Sequence, residues 1–471
     1  MKNVEIERKF LVDKKFLKYL KKKAISLRKK SLKQYYTKIS SKETKRFRKS
    51  DKNYFYTEKS GRGYRRGERE KKISKEQFIS HQSKIKGFLV EKSRYEFTLN
   101  GIFYEFDIFD APVDDLAFLE IEFKNEKAYH DYEIDSALKP YIIKDVSDDF
   151  NYTNASIALF KVPKEEVIDI QTLVKIMPHL KSIDAIRAVL YGYLKNIMMY
   201  RKKILEAYTD EDLHQLRINL RKSRAVIGKM GAVFAKDSLE YHDKQLAFIA
   251  RTTNKKRDLD VFITAFDAHF SKDLYSELRY FYHDISRQRE REEETLKKFL
   301  KGDDLTGYLK ELEEFLVDGL SKGDMAEEPI ALFLEESVES ILQHILKKIN
   351  RYKQDREEEH LHKVRISFKK LRYILESFDT LFWKRNVKDL LKRIKKLQND
   401  LGVFNDLCVQ HAFLENYLQT HQLHRSKESS FDTFLTKIER DKIEIEKKIG
   451  KDLAKTMDIE VLREDLNPKF A

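Results

Sequence analysis

The sequence predicts an α+β chain in two parts, strands first and helices afterwards. Up to about Phe160, apolar and charged residues alternate at period two; from Ser182 onward, apolar residues recur at spacings of three and four, the repeat of a helix face. Between them, Pro163 and Pro178 bracket a short segment that follows neither period. A chain of 471 residues also exceeds what one core usually holds. We therefore expect one domain over residues 1–160, a linker over 161–181 and a helical domain over 182–471.

Composition narrows the function classes. The 41% hydrophobic content suffices for two cores, while Gly 14 and Pro 6 are few for this length, favouring helix and opposing disorder. Lys+Arg 94 against Asp+Glu 79 leaves +15, a surplus suited to nucleic acid, polyphosphate or an acidic membrane surface. Cys408 is the sole cysteine, which excludes an intrachain disulfide and a cysteine-based zinc site and suits a reducing compartment. The N-terminus is charged from Lys2, and no run of about 18 apolar residues occurs, so neither a signal peptide nor a membrane span is expected. The expectation is a soluble cytoplasmic protein without membrane partners.

The first strand, over residues 4–11, places Glu5, Glu7 and Lys9 on one face and Val4, Ile6 and Phe10 on the other. A short basic amphipathic helix is expected over 14–24. Further strands are predicted over 34–39, 44–48, 54–59, 66–73, 88–95, 102–109 and 118–123, with Ser, Gly, Asp and Asn in the connections. Charge pairs two apart recur on most of them: Arg46 and Arg48, Glu68 and Glu70 behind Arg66, Lys92 and Arg94, Glu105 and Asp107, Glu120 and Glu122, with Lys59 beside Thr57. Some strands thus carry carboxylate pairs and others cationic ones. That mixture suits a closed barrel whose interior takes a metal and a highly charged anion, because carboxylates offer hard oxygens to Mg²⁺ or Mn²⁺ and forked guanidinium groups match phosphate oxygens.

These motifs stand in a fixed order: ExExK at Glu5, Glu7 and Lys9; RxR at Arg46 and Arg48; YTEK ending in Lys59; RxExExxI at Arg66, Glu68, Glu70 and Ile73; KxR at Lys92 and Arg94; ExD at Glu105 and Asp107; ExE at Glu120 and Glu122; and YTNAS at Tyr152 to Ser156. In this order they resemble a CYTH domain of the triphosphate tunnel metalloenzyme superfamily. The resemblance implies an eight-stranded antiparallel β-barrel whose tunnel holds a triphosphate. Its metal ligands are then expected at Glu5, Glu7, Glu120 and Glu122, and its phosphate clamps at Lys9, Arg46, Arg48, Lys59, Arg66, Lys92 and Arg94. Glu68, Glu70, Glu105 and Asp107 either complete a second metal site or hold the cationic side chains through buried ion pairs.

The helical part contains an internal repeat. Residues 213–226, LHQLRINLRKSRAV, align with 361–374, LHKVRISFKKLRYI, placing His214 over His362 at an offset of 148 residues. The alignment pairs Arg217 with Arg365, Arg221 with Lys369, Lys222 with Lys370 and Arg224 with Arg372. The same offset sets Asn254 over Gly402, expected to close a helix in the left-handed conformation, and Asp258 over Asp406, expected to cap the next one. Offsets of zero, three, seven and ten put each histidine and three cations within an arc of about 80° on one helix face. Such a stripe repels itself unless something anionic lies along it, and two related stripes suit a long polyanion. Metal binding by the histidines is disfavoured, since neither has a His, Cys or carboxylate three or four residues later.

Both stripes, HxxRxxx[RK][RK]xR, resemble the CHAD domain, an all-α helical bundle of two similar halves often found after CYTH. This resemblance covers 182 to the C-terminus and implies a surface that binds inorganic polyphosphate. Thr253 and Asn254 stand where that family has Leu-Gly before RDxDV, and the second half keeps only Asn405 and Asp406 of the motif, with Cys408 at its last acidic position. The whole chain thus reads as a metal-dependent inorganic triphosphatase acting on tripolyphosphate and joined to a domain for long-chain polyphosphate. The alternative is a polyphosphate-localising protein with little or no turnover. Thiamine triphosphatases, adenylate cyclases and RNA 5′-triphosphatases share the tunnel motifs, so the motifs leave the substrate open. Nucleic acid is disfavoured, because no aromatic residues interleave the basic stripes to stack on bases.

Overall fold

The period-two segments form β1 (Asn3–Val12), β2 (Arg28–Ile39), β3 (Glu43–Ser50), β4 (Asn53–Ser60), β5 (Arg65–Ile73), β6 (Lys86–Leu99), β7 (Ile102–Phe109), β8 (Ala117–Glu122) and β9 (Ile142–Asp145). The computed structural model describes residues 3–456 apart from 24, 41, 62–63, 162–167, 174, 270–278, 319–321, 383 and 421–424. Residue 24, the last of the expected first helix, Pro163 and the last fifteen residues of the expected helical domain lie outside the described residues. Strand order is β5-β4-β3-β2-β6-β7-β8-β1, all neighbours antiparallel, and pairing of β1 with β5 closes the expected eight-stranded barrel. The strand not foreseen, β9, pairs with Phe10–Val12 of β1 beyond the point where β5 leaves that edge.

The barrel is polar within and apolar without. Phe10, Val12, Phe97, Tyr104, Phe106, Leu119 and Ile121 face outward and are buried by Phe16 and Leu20 of α1 (Phe16–Lys22) and by Leu138. α2 (Lys75–Ser80) begins in a capping box between Ser74 and Gln77 and lays Phe78 on Tyr35 and Phe47. α3 (Glu126–Asp131) follows β8. α4 (Asn154–Phe160), capped by Thr153, floors one end of the barrel: Ile157, Ala158 and Leu159 pack with Val90, Phe109, Phe118 and Tyr152. Gly87 makes this seating possible, since it sits at φ +75° and a Cβ there would lie 2.0 Å from the Ala158 carbonyl oxygen.

The helical part comprises α5 (Ser182–Glu206), α6 (Asp210–Met230), α7 (Lys236–Thr252), α8 (Asn254–His269), α9 (Arg279–Lys301), α10 (Asp303–Asp318), α11 (Ile330–Asp355), α12 (Glu358–Ser377), α13 (Lys384–Thr420) and α14 (Arg425–Thr456). The 148-residue offset superposes the starts of α5 and α11 and of α6 and α12. It fails in one respect. The first half breaks between α7 and α8, whereas α13 runs unbroken through Gly402. Asp258 and Asp406 therefore lie inside helices and cap nothing, and Gly402 ends no helix. The break in the first half needs no left-handed residue, because Thr253 turns the chain at φ −85°, ψ −3°. Ile170, Ile176 and Leu180, in the segment expected as a linker, are buried in the helical core. Among the described residues, no helix is long and apolar enough to cross a membrane.

Since α4 sits against Gly87, Gly87→Ala is expected to destabilise the barrel by at least about 3 kcal/mol, through both strain and collision. Thermal unfolding followed by circular dichroism should show a lowered midpoint; an unchanged midpoint would contradict this packing.

Candidate functional site: a charged tunnel and a basic helical face

Inward-facing positions of the barrel strands line a cavity of about 420 Å³ that holds Glu5, Glu7, Lys9, Arg46, Arg48, Lys59, Arg66, Glu68, Glu70, Arg94, Glu105, Glu120 and Glu122 together. Strand register explains the gathering, because Glu7 stands opposite Glu122, Lys9 opposite Glu120, and Glu105 opposite Glu120 across β7 and β8. Lys92 and Asp107 do not reach the cavity. They form a buried 2.5 Å pair behind Arg94, where Lys92 also donates to the Asn154 side chain at 3.2 Å. Tyr36 lines the same cavity and is not among the residues expected there; its place on β2 beside Gln34 carries no charge pattern to reveal it.

Ion pairs divide the tunnel into two electrostatic regions. In the first, Glu120 receives Lys9 at 3.0 Å and Arg94 at 2.8 Å, and Arg94 also binds Asp107 at 2.7 Å and pairs with Glu105. Burial opposes ionisation there, yet Lys9, Lys92 and Arg94 hold the Glu120 carboxyl well below the usual carboxylate range. Glu105 goes the other way: burial raises it, and nearby Glu120 and Asp107 add to the rise against the pull of Arg94. Arg46 lies 3.5 Å from Glu70, which also holds Arg48 at 2.9 Å. Crowding by Arg46, then burial, lowers Arg48 to about 10.

The second region is acidic. Glu122 is pushed up by burial and then by the carboxylates of Glu5, Glu68 and Glu7. Lys59 reaches Glu5 at 2.5 Å and Glu68 at 3.7 Å, and Arg66 reaches Glu7 at 3.2 Å. Four carboxylates gathered in one place offer hard oxygen donors, and the crowding that raises Glu122 is what a divalent cation would relieve. Glu120 accepts from two cations, Lys9 and Arg94, whereas Glu5 and Glu7 each pair with one.

In the helical part the two stripes meet where α6 packs on α12. Their members have different surroundings. Arg217 is buried, donating to the Ala250 carbonyl at 3.1 Å, to the Thr253 hydroxyl at 2.5 Å and to the Asn254 side chain at 2.9 Å, so it ties the α7–α8 corner. This pairing uses the two residues that replace the family's Leu-Gly. Lys222 crosses to Glu376 at 3.1 Å, Arg224 pairs with Asp243 at 3.1 Å, and Arg372 lies 3.6 Å from Glu376. Lys369, half-buried, is lowered to about 7 by burial and by Arg365, Arg221 and Arg372. Burial lowers Lys370 and Arg365 as well. Asp258, raised by burial, lies within electrostatic reach of Arg217, Arg221 and Asp406, and sits inside α8 rather than at a helix end. His362 shares its Nδ1 with the Asn405 side chain at 2.7 Å. Burial, and then Arg257, lower the pKa of His214.

Comparison with known proteins divides along the same line. Residues 188–415 match the CHAD domain family. The chain is 33% identical over 115 residues to an inorganic triphosphatase of Nitrosomonas europaea, covering 24% of this chain and 74% of that protein. A crystal structure of an inorganic triphosphatase, 31% identical, is matched over 33% of this chain and 94% of that one with a TM-score of 0.25. The crystal structure of the CHAD domain from the plant Ricinus communis aligns with a TM-score of 0.51 at 19% identity, covering 62% of this chain and 97% of that one. With its closed eight-stranded barrel and ordered tunnel motifs, the chain belongs to the CYTH family of triphosphate tunnel proteins and continues into a CHAD domain.

Proposed function

We propose that this protein is a divalent-metal-dependent inorganic triphosphatase that hydrolyses tripolyphosphate in its tunnel, and that its helical domain, residues 182–471, binds long-chain polyphosphate. The observation that carries the reading is the convergence of Lys9, Arg46, Arg48, Lys59, Arg66 and Arg94 on one cavity together with the carboxylates of Glu5, Glu7, Glu68 and Glu122. The name of the Nitrosomonas europaea relative supports it. We assign the barrel to residues 1–160 and the connection to 161–181, and the single cysteine suits a cytoplasmic location.

Phosphoryl transfer asks the protein mainly to position the chain and neutralise charge on its oxygens. Each clamp cation already faces a carboxylate, so an entering phosphate replaces Glu70 at Arg48 and Arg46, and Glu7 at Arg66, without asking these side chains to travel. Lys92 and Asp107 orient Arg94 from behind. Glu120 fixes Lys9 and Arg94 in one place, a positioning role. When bound by Glu5, Glu7, Glu68 and Glu122, Mg²⁺ or Mn²⁺ supplies charge neutralisation and eases ionisation of the attacking water.

Glu122→Gln should raise the metal concentration for half-maximal tripolyphosphate hydrolysis by about tenfold or more. Glu120→Gln should instead lower kcat/KM with a smaller change in metal dependence. Equal metal dependence in wild type and Glu122→Gln would remove Glu122 from the cation site. The same phosphate-release assay with thiamine triphosphate and ATP ranks the substrates.

For the helical domain, replacing Arg221, Arg365 and Lys369 by Ala should weaken long-chain polyphosphate binding and flatten its salt dependence by about one unit of slope for each phosphate-binding side chain removed. Arg217→Ala should act differently, costing about 1–3 kcal/mol of stability through the loss of buried hydrogen bonds. Unchanged affinity and salt slope in the folded triple variant would remove these residues from the binding surface.

Lys369 supplies a pH test. Its pKa near 7 in the free protein must rise beside phosphate, so binding takes up a proton above that pH and affinity grows as pH falls from 9 towards 7. Calorimetry in buffers of different ionisation enthalpy should show this uptake at pH 8 and lose it in Lys369→Ala.

A further inference from the structure

The second half of the helical domain carries cations that the repeat does not account for. On α11, His344, Lys347 and Lys348 stand at offsets of zero, three and four, and so share one face of the helix. α11 packs on α12, and both pack on α6, which brings that face beside Lys370 of α12 and Lys229 near the end of α6. The Lys348 ammonium donates to the Ser367 hydroxyl of α12 at 2.8 Å, tying the two helices together at this point. At the 148-residue offset, α5 has Asn196, Met199 and Tyr200 where α11 has His344, Lys347 and Lys348, and Lys229 corresponds to Ser377. The group therefore occurs in one half only.

These cations crowd one another. Burial, then Lys370, Lys229 and Lys363, lower Lys348; burial, then Lys229, Lys348, Lys347 and Lys370, lower His344. On Lys370, Lys229 and Arg224 act more strongly than the opposing Asp243. Cations at the rim have carboxylate partners, as Lys222 has Glu376, Arg224 has Asp243 and Lys363 has Glu359, whereas Lys229, Lys347, Lys348 and Lys370 form no ion pair among the described residues. His344, Lys347 and Lys370 are exposed, and Lys229 and Lys348 are half-buried.

The group is continuous with the basic stripes. Lys370 follows Lys369 on α12, Arg224 stands one turn beyond Arg221 on α6, and Arg224 lies within electrostatic reach of Lys370. A cationic band thus runs from Arg221, Arg365 and Lys369 across α6 and α12 to Lys229, Lys348 and Lys347. Towards the barrel it ends at Glu335 and Glu336 of α11, the first of which pairs with Lys86 at 2.9 Å. Towards the α11–α12 corner it ends where Lys363 pairs with Glu359 at 2.7 Å. The most exposed aromatic side chains among the described residues, Phe103, Tyr241 and Phe248, belong to β7 and α7, so the band offers charge without a surface on which bases stack.

We propose that Lys229, His344, Lys347 and Lys348, reached through Lys370, form a second polyphosphate-binding surface: long chains cross from the stripes of α6 and α12 onto α11, while short chains occupy the stripes alone. This rests on the polyphosphate reading of the helical domain. A phosphate chain brings one charge after another with no base attached, which suits closely spaced ammonium groups. Each further contact releases counterions, so affinity grows with chain length until the band is filled. Because the band ends at Glu335 and Glu336, it acts on retention of long chains and leaves the tunnel's own reaction unaffected.

The test measures binding of the full chain to long-chain and to short-chain polyphosphate over a range of salt concentrations, comparing wild type with Lys229→Gln/Lys347→Gln/Lys348→Gln. On long chains the triple variant should lose about two units or more of salt slope and bind about tenfold or more weakly. On short chains its affinity and slope should match wild type, and its tripolyphosphate hydrolysis should be unchanged. Lys347→Glu, a single change at an exposed position, should weaken long-chain binding in the same direction, and it carries the test if the triple variant fails to fold. An unchanged long-chain slope in the folded variants, or an equal loss on short chains, would overturn the inference alone. So would mixed-sequence RNA that binds wild type more tightly than long-chain polyphosphate and loses that affinity in the variants. Wild type that binds no polyphosphate would overturn the underlying reading as well.

Discussion

Charge compensation inside the barrel is the constraint on which the rest depends. A closed sheet whose inner face carries this many ionised side chains is stable only if each finds a partner, since unpaired buried charge costs far more than burial of the outer face returns. Here the partners are supplied across strands: Lys9 and Arg94 share Glu120, Arg46 and Arg48 share Glu70, and Lys59 and Arg66 take Glu5 and Glu7. The compensation is incomplete at Glu122, where carboxylates crowd, and at Arg48, where cations do. Those two imbalances, of opposite sign and within one cavity, are what a metal and a phosphate chain would relieve.

An inner face given over to charge forces the apolar residues outward, so the barrel has its hydrophobic core on the outside. α1, α2 and α4 cover that surface, and at the floored end the helical domain joins in through Leu332. The two domains are therefore packed together, with Lys86 and Glu335 pairing across the junction. A similar balance operates in the helical half. Arg217 is spent on the corner between two helices, while Lys369, Arg365 and Arg221 repel one another with too little carboxylate nearby.

Much of this is legible in the residues because a strand records its faces at period two. Glu5, Glu7 and Lys9 fall together on that count, and the recurrence of such pairs marks a lumen. The different surroundings of Glu120 and Glu122 are not legible, since the two sit two apart on one strand and differ in what faces them from β1, β5 and β7. The repeat makes the two basic stripes plain, yet hides the departure at Thr253 and Asn254, where one half breaks and the other continues as a single helix. Asp258 and Asp406 accordingly read as caps from sequence, whereas both lie within helices. Asp324, Glu327 and Glu328, which line the tunnel cavity from between α10 and α11, are invisible for another reason: no local pattern tells that a loop of one domain will reach the tunnel of another.

The central claim is that the tunnel's two imbalances are a cation site and a phosphate site serving one reaction. Its most direct measurement is phosphate release from tripolyphosphate by the purified chain, first with chelator and then with Mg²⁺ or Mn²⁺ restored. The account predicts release that stops with chelator and returns with the metal. Hydrolysis at the same rate in chelator, or no hydrolysis with either metal, would contradict it.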